Sequence, residues 1–177
     1  SRAMMLSFYV HIPYCIKRCG YCDFNTYTPS ELQDGATLEI VSADYIDAVL
    51  RELATTPTDE VSTIFFGGGT PSLMPPATVA ALIVAAERHW GFDDNVEITL
   101  EANPSSVESA RFADLAHAGV NRVSLGLQAL DDDVLAFLGR AHSVDEYVNV
   151  ERNAFINGLS SGLALVVAVA NLDWTKK

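Results

Sequence analysis

The stretch VSTIFFGGGTP, residues 61–71, decides the fold class predicted for this chain. Residues 61–66 form a short apolar run rich in β-prone side chains, which favours a buried strand. The three glycines and the proline that follow predict a turn where that strand ends. Residues 77–90 then carry the pattern of a helix, so the stretch opens a strand–turn–helix unit.

Strand and helix alternate on both sides of this unit. Further strands are predicted at 7–12, 96–102 and 120–127, and further helices at 43–54, 131–138 and 143–156. Ser-x-x-Glu capping boxes at 105–108 and 143–146 each predict a helix start. The apolar tail, residues 154–170, is expected to form a fifth strand or a buried helix. Repeated βα units predict an α/β fold with a parallel sheet.

Polar or glycine-rich motifs follow the predicted strands at the point where each strand ends. They are the cysteine loop, the glycine loop and the segments 101–104 and 126–128. The carboxyl ends of parallel strands meet at one edge of a sheet or barrel, where ligands bind in such folds. We therefore expect the four loops to form one site.

The composition fits one soluble globular domain and argues against nucleic-acid and membrane partners. Of 177 residues 49% are hydrophobic, and 23 Asp and Glu outnumber 11 Lys and Arg. The net charge of −12 would repel nucleic-acid phosphates. The tail, 17 residues interrupted by glycine, asparagine and serine, is short of the roughly 20 apolar residues of a membrane span. With no secretion signal at the N-terminus, a cytoplasmic location is expected.

All three cysteines lie within eight residues, at Cys15, Cys19 and Cys22. Such clustering favours metal binding over a disulfide framework. Three thiolates would leave one iron of a four-iron cluster without a protein ligand, and an open iron implies catalysis or ligand binding. The alternatives are a structural zinc with His11 or a carboxylate as fourth ligand, and buried inert thiols.

Three further motifs offer polar groups at the same edge. The backbone of Gly67–Pro71 could bind the carboxylate and ammonium of an amino acid, unless it is only a tight βα connection. Glu101 could accept hydrogen bonds from an ammonium or a ribose hydroxyl, unless it is a solvated strand end. Gln128 and Arg140 suit a ribose and a carboxylate respectively, but either could serve a local turn or a surface pair.

The ordered motifs resemble one family. They are YVHIPYC-x3-CGYC from residue 9, GGGTPS, EANP, GVNRVSLGLQ and LGRAH. Together they are similar to the oxygen-independent coproporphyrinogen III oxidase family of radical S-adenosylmethionine (SAM) proteins, over roughly residues 6–152. The resemblance implies part of a partial (β/α)6 TIM-like barrel. It also divides the chain into residues 1–152, the N-terminal part of the radical SAM core, and 153–177, a divergent apolar tail.

The resemblance further implies cofactors, chemistry and site residues. A [4Fe–4S] cluster on the three cysteines would chelate SAM through its open iron, and an electron donor would reduce it. Reductive cleavage of SAM would yield a 5′-deoxyadenosyl radical that abstracts hydrogen, and in the porphyrinogen branch propionate side chains would then be decarboxylated. The residues implied at the cluster and SAM are Tyr9, Tyr21, Gly68, Gly69, Thr70, Glu101, Gln128 and Arg140.

Two departures from the decarboxylating oxidase indicate the haem-chaperone-like branch of the family. The oxidase has a further cysteine where this chain has Phe24, and a long segment before its cluster motif. Haem binding and delivery is therefore the function expected first, and decarboxylation of coproporphyrinogen III is the alternative. A third interpretation is a non-catalytic truncated remnant, because the family's SAM-binding aspartate, its Gly-x-Pro-Gly loop and its second half are not found. Whether the chain is an enzyme stays open.

Overall fold

The computed structural model describes residues 6–31, 38–56 and 60–165 of the chain. Five strands form one sheet in the order β1-β2-β3-β4-β5, and all four neighbouring pairs are parallel. The strands are β1 Leu6–Ile12, β2 Val61–Gly68, β3 Phe92–Ala102, β4 Arg122–Gln128 and β5 Ser160–Leu165. The helices are α1 Leu38–Thr55, α2 Pro76–Trp90, α3 Ser106–Ser109, α4 Phe112–His117, α5 Asp132–Phe137 and α6 Val144–Ile156. The predicted α/β class with a parallel sheet is confirmed.

The glycine loop begins later than predicted. Gly67 and Gly68 still belong to β2, because they pair with His11 and Ile12 of β1. The turn therefore starts only at Gly69 and continues into a short 3-10 helix, Pro71–Leu73. Two of the three glycines are thus strand residues that lie directly against the end of β1.

The two predicted capping boxes have different outcomes. Ser143 and Glu146 form the reciprocal pair of hydrogen bonds at the start of α6. After Ser105 only the four-residue α3 forms, and α4 follows it separately. The Glu108 amide does donate to Ser105 Oγ at 3.3 Å, but the Glu108 carboxylate accepts from the backbone of Asn103. The predicted helix start is therefore present at Ser106, but the helix it opens is short.

Within the part that the structure describes, residues 154–156 of the tail complete α6 and residues 160–165 form a strand. β5 pairs with β4 in parallel, so residues 160–165 extend the same sheet, while 166–177 lie outside the described residues. The division of the chain at residue 152 stays a prediction, although α6 continues past that position. No described helix is both long enough and apolar enough to cross a membrane.

The two faces of the sheet differ in chemistry. In β4 the side chains of Val123, Leu125 and Leu127 are fully buried and join a core that includes Leu82 of α2 and Leu115 of α4. The alternate residues of β4 are half-buried on the opposite face. This period-two alternation places the helices on one face and leaves the other face partly open. The polar motifs lie where these strands end.

Candidate functional site

The cysteine loop is closed at its base by backbone hydrogen bonds. Cys15 N donates to Tyr27 O at 3.0 Å, and Tyr27 N donates to Pro13 O at 2.7 Å. A short parallel bridge between Tyr14 and Tyr27 brings the two ends of the loop together. The loop therefore begins and ends beside the carboxyl end of β1.

A side-chain clamp braces the outer part of this loop. Glu31 accepts hydrogen bonds from Thr28 N at 2.7 Å, from Thr28 Oγ1 at 3.0 Å and from Arg18 Nη2 at 3.1 Å. The pKa of Glu31 lies below its ordinary value of 4.5, chiefly because of the backbone hydrogen bond from Thr28. Arg18 also donates to Thr26 O, so the clamp crosses the loop.

The glycine loop is joined to both neighbouring loops. Gly69 N donates to Ile12 O at 2.6 Å and Thr70 N donates to Tyr14 O at 2.8 Å, while Gly68 N donates to a Glu101 carboxylate oxygen at 3.0 Å. These three N–H groups belong to the segment predicted to bind a ligand, and all three have acceptors within the protein. If this segment binds a ligand, it would do so through its carbonyl oxygens and neighbouring side chains rather than through these N–H groups.

Close approach of backbone explains why glycine stands at positions 68 and 69. Gly68 has a φ of +109°, and a Cβ there would lie 2.9 Å from Ile12 O. A Cβ on Gly69 would also lie 2.9 Å from Ile12 O and would overlap Tyr14 O. Side chains at these positions would separate the glycine loop from the cysteine loop.

The three thiols lie in different surroundings. Cys15 is buried and accepts from Thr70 Oγ1 at 3.7 Å, and burial raises its pKa above the ordinary 9.0. The neighbouring Cys19 and Cys22 are half-buried, and their charges also raise the pKa of Cys15. All three are free thiols.

The donor set is three thiols of one loop, and thiolates are the usual ligands of iron–sulfur clusters. Among the described residues, no three His, Cys, Asp or Glu side chains are grouped as one metal ion requires. A four-iron cluster places each thiolate on a different iron, so its ligands need not converge on one point. His11, the alternative zinc ligand, contacts Tyr9 Oη through Nδ1 and Asn25 O through Nε2, at 3.1 and 3.0 Å. Both of its ring nitrogens are thus engaged.

The two predicted tyrosines lie at different parts of the site. Burial, reinforced by the Cys19 and Cys22 charges, raises the pKa of Tyr21 to about 12, against the opposing effect of Arg140. Tyr21 is therefore beside the thiols. Tyr9 instead stacks on Phe65, with ring centroids 6.1 Å apart, and its pKa is raised by burial and by the Glu101 charge. Among the described residues, Tyr9 is therefore near Glu101 and His11 rather than beside the thiols.

Glu101 and Gln128 lie at the ends of β3 and β4. Burial raises the pKa of Glu101 above 4.5, opposed by the hydrogen bond from Gly68 and by His11. Gln128 is the non-glycine residue with positive φ, +75°, in the described part of the chain. A Cβ on Gly126 would lie 2.9 Å from Gln128 Nε2 and 3.4 Å from Arg140 Nη2, so both side chains lie close to Gly126.

Arg140 connects three of the four loops. Its Nη1 donates to Cys19 Sγ at 3.3 Å, and its Nη2 donates to Asn103 Oδ1 at 2.6 Å and to Gly126 O at 2.7 Å. Within the described residues, its Nε is buried without a hydrogen-bond partner. An unmet buried donor costs about 1–3 kcal/mol, so an acceptor placed at this nitrogen would be favoured.

Several residues of the site were not predicted as such. Asn103 lies within the EANP motif, but only Glu101 of that motif was assigned a role. Glu108 was interpreted as a helix cap, and nothing in local spacing shows that it contacts Ser72. His142, in the LGRAH motif, is buried and hydrogen-bonds to Leu127 O at 3.1 Å. The motifs themselves were the available signal for Asn103 and His142.

Comparison with known proteins gives one family. The profile described as Radical SAM superfamily matches residues 9–173. The heme chaperone HemW of Haemophilus influenzae is 38% identical over 88% of this chain and 41% of its own length. The mouse mitochondrial radical S-adenosyl methionine domain-containing protein 1 is 42% identical over 82% of this chain and 32% of its own. The chain thus spans about two fifths or less of these relatives.

Solved structures give the same result for the fold. The coproporphyrinogen III oxidase HemN of Escherichia coli, described as a radical SAM enzyme, superimposes with a TM-score of 0.76 at 27% identity. The match covers 91% of this chain and 37% of that enzyme. The predicted partial TIM-like barrel and the predicted family resemblance are both confirmed.

Proposed function

Because this chain belongs to the radical SAM superfamily, we propose that Cys15, Cys19 and Cys22 hold a [4Fe–4S] cluster and that the adjoining loops bind SAM. Membership of the superfamily implies both cofactors. The observation that carries the proposal is the position of Arg140, which donates to Cys19 Sγ and keeps a second, unpartnered donor buried beside it. A cation with a free donor next to a cluster ligand suits the carboxylate of a cluster-bound amino acid.

The remaining loops supply complementary groups for the rest of SAM. The segment Gly68–Thr70 would hold the methionine end, with Glu101 accepting from the ammonium and Gln128 from the ribose. Tyr9 and Tyr21 would border SAM and the cluster. A [4Fe–4S] cluster held there would supply the electron for SAM cleavage, and an electron donor would be needed as a partner.

We propose that the protein binds and delivers haem. The supporting observations are the 38% identity to a heme chaperone over 88% of this chain and the residue at position 24. Phe24 is 60% exposed, where the decarboxylating branch of the family has a further cysteine. A cytoplasmic location belongs to this proposal.

The cluster part of the proposal is tested by anaerobic reconstitution with iron and sulfide, followed by EPR of the dithionite-reduced protein with and without SAM. We expect a reduced-cluster signal that SAM changes. Cys19→Ala should abolish the signal, whereas the matched control Ile16→Ala, an exposed side chain in the same loop, should retain it. If the wild-type protein forms no cluster, the proposal is overturned, and the interpretation of the chain as a non-catalytic remnant is the one that remains.

The haem part is tested by titrating haem into the reconstituted protein and following the Soret band. Stoichiometric saturation supports the chaperone function. Carbon dioxide release from coproporphyrinogen III with SAM and reductant would instead support the second candidate, which the fold likeness to the Escherichia coli oxidase favours. If the protein does not bind haem but does release carbon dioxide from coproporphyrinogen III, the second candidate replaces the first.

A further inference from the structure

Glu108 is a buried carboxylate to which the proposed function assigns no contact with SAM or the cluster. Its side chain is 6% exposed, yet four hydrogen-bond donors surround it. Asn103 N donates to Oε2 at 2.7 Å and Asn103 Nδ2 to Oε1 at 3.2 Å, Ser72 Oγ donates to Oε2, and Ser105 Oγ donates to Oε1 at 3.4 Å. A buried carboxylate with this many donors is held in one place and holds its donors in turn.

One branch of these contacts reaches the turn that follows the glycine loop. Ser72, whose hydroxyl donates to Glu108, is fully buried in that turn. Arg111 donates through Nη1 to Ser72 O at 3.2 Å and to Leu73 O at 2.9 Å. A carboxylate and a guanidinium from the segment after β3 therefore fix both the side chain and the backbone of the turn.

The other branch reaches Arg140 through the amide of Asn103. Because Asn103 Nδ2 donates to Glu108, its Oδ1 is directed to Arg140 Nη2, 2.6 Å away. The reverse orientation of the amide would place two donors face to face at Arg140 and two acceptors at Glu108. The carboxylate thus determines that Asn103 acts as an acceptor for Arg140.

We propose that Glu108 is a positioning residue that aligns the two halves of the ligand site, the glycine loop through Ser72 and the Arg140 guanidinium through Asn103. The inference rests on the proposed function of these loops as the SAM site. Glu108 is not among the residues proposed to hold the cluster or SAM, so its loss should weaken SAM binding without removing the cluster.

The test is Glu108→Gln, which keeps the shape of the side chain but replaces one acceptor oxygen by a donor. In the reconstituted protein we expect SAM affinity, measured by equilibrium dialysis, to fall about tenfold. Iron and sulfide content and the EPR signal without SAM should stay at wild-type levels. Glu87→Gln, the same change at an exposed position of α2, is the matched control and should bind SAM like wild type.

A double-variant cycle separates positioning from general damage. If Glu108 acts through Arg140, the combination of Glu108→Gln with Arg140→Lys should lose much less SAM affinity than the product of the two single losses. Multiplicative losses would overturn the inference, as would wild-type SAM affinity or a lost cluster in Glu108→Gln.

Two further outcomes are distinguishable. If Glu108→Gln does not fold, Ser72→Ala removes a single donor and should still lower SAM affinity about threefold with the cluster retained, and unchanged affinity there would overturn the inference. Failure of the wild-type chain to bind SAM would overturn the proposed function, and this inference with it.

Discussion

The guanidinium of Arg140 donates to Cys19 Sγ at 3.3 Å, across 121 positions of sequence. The contact joins the loop after β1 to the loop after α5, the helix that follows β4. In the sheet, β2 and β3 lie between β1 and β4. A planar cation with several donors in fixed directions can hold a sulfur, a side-chain amide and a backbone carbonyl at the same time. Arg140 therefore holds three loops together, and its buried Nε is the donor that the proposed function assigns to SAM.

Replacing Arg140 by lysine should weaken this organisation although the charge is kept. The lysine ammonium is a point charge and cannot reproduce the planar fork to Cys19, Asn103 and Gly126. We expect SAM to change the EPR signal of Arg140→Lys less than that of wild type, with affinity lower by about tenfold. Arg152→Lys, at an exposed position of α6, is the control. Equal SAM responses in both variants would contradict the assignment.

Gly69→Ala should destabilise the apoprotein, because the added Cβ would overlap Tyr14 O and press on Ile12 O. Both obstacles are backbone atoms, which cannot move aside like the end of a flexible side chain. We expect the free energy of unfolding, measured by urea denaturation, to fall by about 1–3 kcal/mol. In Gly20→Ala the Cβ meets nothing within 4 Å, so this control should unfold like wild type. Similar midpoints for the two variants would refute the close approach.

Cys15 should be the slowest of the three thiols to react with iodoacetamide in the metal-free, reduced protein. It is buried, and burial raises its pKa, so at neutral pH the reactive thiolate is both scarce and shielded. Cys19 and Cys22 are half-buried and more accessible. Peptide mass spectrometry after timed alkylation reports the order directly. Labelling of Cys15 first would show that the Cys15 environment described above is not present in solution.

His142 should make the fold less stable as the solution becomes more acidic. Burial, with a smaller contribution from the Arg140 charge, lowers the pKa of His142 below 6.5, so the unfolded chain takes up a proton at higher pH than the folded chain does. The stabilisation that comes with the neutral ring is present above pH 6.5 and is lost as the pH falls through the lowered, folded-state pKa.

The check is the melting temperature of the apoprotein at a series of pH values on both sides of 6.5. His142→Gln should remove part of the pH dependence seen in wild type. His117→Gln, which alters an exposed ring bonded to Ala113 O, should leave that dependence in place. If the curves of wild type and His142→Gln run parallel, the assignment to His142 fails.

Local patterns predicted most of the elements, because short-range periodicity is a property of neighbouring residues. The strands at 61–66 and 96–102 and the helix at 77–90 were each found with ends that differ by up to four residues. A helix does start after Ser105 as predicted, but it is only the four-residue α3. Its capping pattern is present, but the Glu108 carboxylate binds Asn103 and Ser72 instead, the latter 36 positions away. A contact of that range has no periodic signal.

The sequence by itself determined the βα alternation, the cysteine spacing and the ordered motifs, and from these the fold class and the family follow. The tertiary structure alone decided which donors in the site remain available. It placed acceptors on the N–H groups of Gly68, Gly69 and Thr70, and it left Arg140 Nε buried among the described residues without a partner. The physical reason is that a hydrogen-bonding group is satisfied by whatever the fold brings near it, and spacing along the chain does not encode that proximity.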